Sequence, residues 1–154
     1  MQSIVLNFHS ILRYFILLFA VIVVIQSLAG ILGKRKFLKS NKMGALALLI
    51  FCDLQLLLGF ALYFLKGWAS VLTSGGAMAN KYNRFWTVEH SVGMLVAIIL
   101  VHVGYAAAKK NMDDARKFKR LLWCVLIALI IFVGTIPWAQ RGEIGRPNFP
   151  VMSS

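Results

Sequence analysis

Four long runs of apolar residues alternate with short polar segments along the 154-residue chain. The runs cover residues 8–33, 43–65, 85–108 and 121–138. A bilayer core about 30 Å thick needs about 20 apolar residues in a helix rising 1.5 Å per residue. All four runs meet that length; the last is short but sufficient, and Pro137 marks its end. Helices follow from run length, and from the need to satisfy every backbone N–H and C=O internally. The pattern predicts an all-α membrane protein, an antiparallel four-helix transmembrane bundle occupying one domain over 1–154 with a short C-terminal tail over 139–154. The connection over 66–84 contains Ser74, Gly75 and Gly76 and reads as irregular, with a short interfacial helix.

Charge orients the bundle. Lys34, Arg35, Lys36, Lys39 and Lys42 lie in the first connection, and Lys109, Lys110, Arg116, Lys117, Lys119 and Arg120 in the third. The middle connection and the tail together hold only Lys66, Lys81, Arg84, Arg141 and Arg146. The positive-inside rule then places connections one and three in the cytoplasm and both termini on the outer (periplasmic) side. Trp68, Trp86 and Trp138 fall near the proposed outer boundary, as an interfacial aromatic belt does. The net charge of +12 is accounted for by this topology, which excludes a nucleic-acid partner and leaves membrane lipid as the solvent. With 60% hydrophobic and 14% charged residues, the chain departs from a soluble composition in the same direction. No basic segment precedes the first run, which is too long for a signal peptide. Cys52 and Cys124 lie inside apolar runs without metal or redox spacing and read as small buried hydrophobes.

Ionisable groups within apolar runs are functional candidates, because burying them in lipid is costly. There are six, His9, Arg13, Asp53, Glu89, His90 and His102, with Gln55 as a neutral addition. His9 lies five residues after Ile4 and His90 five after Phe85, each near the outer start of its run. At 1.5 Å per residue both imidazoles sit roughly 8 Å below the outer boundary, on parallel helices. Two imidazoles at one level are what a six-coordinate haem requires, one axial nitrogen from each. Gly93 and Ala97 follow His90 with small-xxx-small spacing and would leave room for a flat ring; Arg84, Arg141 and Arg146 could pair with haem propionates. Interfacial or hydrogen-bonding histidines are the plainer reading of the same residues. Zinc or copper is disfavoured, since no cysteine or third ligand lies at that depth.

His102 falls twelve residues beyond His90, about 18 Å deeper and turned by about 120 degrees, so a second haem lacks its ligand pair. Asp53 lies at a similar depth, which suggests an Asp53–His102 hydrogen bond or, alternatively, a proton-relay or quinone-headgroup site. Arg13, one turn below His9, calls for Asp53 or Glu89 as partner. Glu89 could instead orient an imidazole N–H.

The stretches from His9 to Tyr14 and from Asp53 to Gly59, the Glu89-His90 pair with His102, and Ile136-Pro137-Trp138 followed by Gly145-Arg146-Pro147 resemble a family of small four-helix bacterial membrane proteins, sometimes labelled cytochrome b-like. The chain is also similar, more loosely, to one half of haem A synthase. That enzyme carries its ligating histidines on other helices of each half-bundle, so no catalytic residue is carried over. The resemblance implies a bacterial inner (cytoplasmic) membrane protein. The expectation is a small b-type cytochrome-like protein binding one haem b between the first and third spans, in respiratory electron transfer with quinone or respiratory-complex subunits as partners. Two competitors are a cofactor-free assembly or scaffold subunit and a small proton-coupled transporter using Asp53 and His102.

Overall fold

The computed structural model describes residues 2–149 and is all-helical among them. The tail expected over 139–154 is therefore seen to Phe149, and residues 150–154 lie outside the described residues. The long helices are α1 (Gln2–Leu32), α2 (Lys39–Leu65), α5 (His90–Lys109) and α6 (Asp114–Thr135). Between α2 and α5 lie the short helices α3 (Trp68–Thr73) and α4 (Lys81–Arg84), followed by a π-helical segment, Phe85–Glu89. The π segment joins α4 to α5, giving one continuous helix over Lys81–Lys109. That helix, with α1, α2 and α6, makes four helices long and apolar enough to cross a membrane. Large apolar side chains such as Phe8, Leu57, Phe60 and Ile130 cover the outside, an arrangement compatible with a multi-pass membrane protein.

The helices outrun the apolar runs for a physical reason. Hydropathy marks only the apolar part, whereas backbone hydrogen bonding continues into polar sequence. So α1 starts at Gln2 instead of residue 8, α2 at Lys39 instead of 43, and the third long helix at Lys81 instead of 85. α6 starts at Asp114 instead of 121, with Asp114 in its first turn, where the helix dipole favours a negative charge. It ends at Thr135 and not at 138, because the residue before a proline is pushed out of the helical region: Ile136 has φ −65° and ψ 133°.

Around the bundle the order is α1, α2, α5, α6, each packed on the next and α6 closing on α1. α1 and α5 therefore stand on a diagonal. The first and last described segments share one end of the bundle with the 66–84 connection: Gln2 Nε2 donates to Leu65 O at 2.6 Å, and Arg13 Nη2 donates to Pro147 O at 3.3 Å. The two short basic connections occupy the other end, where glycines let backbones close in. A Cβ on Gly30 would lie 2.5 Å from the Phe118 ring, and one on Gly104 would lie 3.0 Å from Cys124 Cβ. Toward the middle, Ala20, Leu48, Ala97 and Val125 are fully buried.

Candidate functional site

Placing α1 opposite α5 brings the depth-matched histidines together across the bundle. The rings of His9 and His90 lie with centroids 6.5 Å apart and planes at 64°. The two are held differently, His9 through its backbone and His90 through its ring. Gln55 Nε2 on α2 donates to His9 O at 3.0 Å, and a Cβ on Gly59 would lie 3.4 Å from His9 Cε1, so α2 passes close to that ring.

His90 is oriented by the end of α6. The last carbonyls of a helix have no partner within it, and here each finds one. Pro137 has no N–H to offer Val133 O, which accepts instead from Trp138 Nε1 at 2.8 Å. Gly134 O and Ile136 O accept from Arg141 Nη1 at 2.9 and 3.1 Å. Thr135 O accepts from His90 Nδ1 at 2.9 Å. A carbonyl only accepts, so Nδ1 carries the proton and the lone pair of His90 stands on Nε2.

Gly93 serves this contact. It was expected to leave room for a ring, yet a Cβ there would lie 2.6 Å from Thr135 Cγ2. Its small size lets α6 approach until Thr135 O reaches His90. Ala97 is fully buried in the core and, like Gly93, stands apart from the cavity described next.

The two imidazoles open on a cavity of about 520 Å³ at the end that holds Gln2 and Phe149. Its walls come from all four long helices and include the aromatic rings of Phe60, Tyr63, Trp86 and Phe149. Of the five buried side-chain polar atoms that lack a hydrogen bond among the described residues, four belong to residues lining this cavity: His9 Nδ1, Arg13 Nε, Gln55 Oε1 and Trp86 Nε1. Buried polar atoms are normally paired, so their concentration here makes the cavity the candidate binding site. The π-helical segment directly precedes His90, and such segments are frequent at functional sites.

The arginines expected to face haem propionates are dispersed. Arg84 Nε pairs with Glu89 Oε1 at 2.6 Å, on a half-exposed surface. This also removes Glu89 from the imidazoles and from Arg13. Arg141 caps α6 and lies over the Phe85 ring, 4.9 Å from its centroid. Arg146 alone of the three lines the cavity, held by Tyr82 Oη at 2.9 Å and stacked on Trp86.

Arg13 departs from the expectation of a carboxylate partner. Its Nη2 donates to the carbonyl oxygens of Pro147 and Asn148 and to Tyr14 Oη. Sequence reasoning missed the tail as this partner, because backbone carbonyls have no letter in a sequence. Asp53 Oδ1 lies 3.2 Å from His102 Nε2, and His102 Nδ1 donates to Ile98 O at 3.0 Å. That pair sits half-exposed on the flank of the bundle between α2 and α5, away from the cavity.

Among the described residues no group of three or more His, Cys, Asp or Glu is placed to hold a metal ion. The donor set at the cavity is a lone histidine pair, which suits a metal that brings its other ligands with it. Compared with protein-family models, with curated proteins and with solved structures, the chain matches none.

Proposed function

We propose that this chain is a small b-type cytochrome-like membrane protein that binds one haem b between α1 and α5, where His9 and His90 would hold its iron. One observation carries the reading: the imidazoles face each other from diagonal helices at a centroid separation of 6.5 Å. A metal bound to one nitrogen of each ring, at about 2.0 Å per bond, sets the ring centres roughly 6 Å apart. His90 offers Nε2 because Thr135 O engages its Nδ1, the same backbone anchoring that orients histidines at metal sites. The cavity of about 520 Å³ adjoins both rings and lies within the usual range for small-ligand sites.

Haem held there supplies one-electron chemistry toward a membrane partner, quinone or a respiratory-complex subunit. The chain's own residues set its surroundings. Aromatic and aliphatic side chains make most of the wall, and the Thr135 carbonyl fixes the orientation and tautomer of His90. The basic connections lie in the cytoplasm and the histidine end faces the outer side of a bacterial inner membrane, following the 11 bases of connections one and three against five elsewhere in the loops and tail.

Protein purified in detergent from haem-replete cells shows a Soret band whose position shifts on dithionite reduction. His9→Ala and His90→Ala each remove the low-spin signature. Colourless wild-type protein, or stoichiometric haem retained in both variants, sinks the reading.

A further inference from the structure

Arg13 lies one helical turn below His9, and its side chain lines the same cavity at 8% exposure. A guanidinium buried this deeply normally has a carboxylate. Among the described residues every group it hydrogen-bonds is neutral: two tail carbonyls and a tyrosine hydroxyl, all on Nη2. Nε, also buried, has no partner among the described residues. The other charged residues on the cavity wall are Lys66 and Arg146, and among the described residues no Asp or Glu lines it. The site is thus a largely apolar chamber with a cationic rim and, among the described residues, two unsatisfied, buried N–H donors, Arg13 Nε and Trp86 Nε1, of which the first carries charge. Its complement is a large apolar body carrying a carboxylate.

We infer that Arg13, with Arg146 as the second cation, anchors the carboxylate of such a ligand. Building on the haem reading above, that carboxylate is a porphyrin propionate; the carboxylate of a long-chain fatty acid has the same chemistry. Arg13 Nε supplies the unpaired donor, and Nη2 is already held in place by Pro147 O and Tyr14 Oη. Arg146, Pro147 and Phe149 form part of the cavity wall, and the carbonyls of Pro147 and Asn148 hold Arg13 ready. This assignment replaces Arg84 and Arg141, whose guanidinium groups are engaged elsewhere.

The test compares acids with their esters. Detergent-purified protein is titrated with iron protoporphyrin IX and with its dimethyl ester, read by absorbance. In parallel it is titrated with a brominated long-chain fatty acid and its methyl ester, read by quenching of tryptophan fluorescence. Wild type prefers an acid over its ester by roughly 10- to 100-fold, the worth of a charge-assisted hydrogen bond. Arg13→Gln removes that preference while leaving ester binding intact, and Arg13→Lys keeps part of it. Equal binding of the two porphyrins with a histidine-ligated spectrum overturns this inference and leaves the haem reading standing. Acid preference for the fatty acid, with neither porphyrin bound, overturns the haem reading and keeps Arg13 as a carboxylate anchor. Absence of binding by all four probes overturns both. The acid–ester comparison in wild type needs no variant, so a poorly folding Arg13→Gln protein leaves the test intact.

Discussion

The two ends of the bundle solve opposite problems. At the basic end, glycine and a flat ring interlock: Gly30 lies against Phe118, Gly104 against Cys124, and Leu121 is 2% exposed. The opening found there is a surface cleft walled by Lys39, Lys42, Lys109 and Lys117. At the histidine end the same four helices enclose a cavity reaching as deep as Ile16, Ile98 and Phe132, themselves nearly fully buried. Four buried polar atoms without partners are gathered around that cavity. A bundle can concentrate its packing in one half and reserve the other for a ligand, because each helix couples the two ends rigidly.

That contrast can be broken by making the same change at each end. The largest difference is expected from leucine truncation. Leu121→Ala leaves a void in close-packed surroundings and costs about 2–5 kcal/mol, whereas Leu56→Ala enlarges an existing cavity and costs about half as much. Denaturation of detergent-solubilised protein, followed by helical circular dichroism, measures both; equal losses would mean the two ends are packed alike.

Glycine substitution comes next. Gly30→Ala drives a methyl into the Phe118 ring and costs about 1–3 kcal/mol. Gly59→Ala meets His9 Cε1 at 3.4 Å, an ordinary contact. It leaves stability unchanged or raises it by up to about 1 kcal/mol through helix propensity. Thermal midpoints in the same detergent rank the two.

Gly93→Ala sharpens the comparison within the histidine end. Its methyl would push α6 back from His90 and loosen the Thr135 contact. Haem affinity should fall by about tenfold, the effect of losing a carbonyl that orients a ligating histidine. An unchanged haem titration would separate Gly93 from the site. The smallest effect belongs to the flank. Asp53→Asn keeps a hydrogen bond to His102 Nε2 available and costs about 0.6 kcal/mol. It leaves the spectrum of bound haem unaltered; a shifted spectrum would tie the flank pair to the cavity.

How much of this was readable in advance differs from residue to residue. The parity of His9 and His90 was visible, because rise per residue is the same in every helix and a count of residues becomes a depth. The place of Gly59 beside His9 was not, since it depends on which face α2 turns inward. Gly93 was legible as a small residue but not as the one that admits Thr135. Glu89 looked like a partner for Arg13 or for an imidazole, yet it lies beside Arg84, five residues back along its own helix. The π-helical turn between them adds a residue to the winding, which a 3.6-residue count cannot anticipate.

By itself the sequence determined four apolar helices, the alternation of their basic connections and the common level of two imidazoles. Each of these follows from local rules: run length, side-chain charge and a constant rise. Only the tertiary structure decided that α1 faces α5 across the diagonal, that the freed carbonyl of Thr135 holds His90, and that Arg13 meets the tail's backbone instead of an acid. Such facts depend on how far each helix is rotated about its axis. That rotation is settled by the packing of all four helices together, and by backbone acceptors that are the same at every position of the chain.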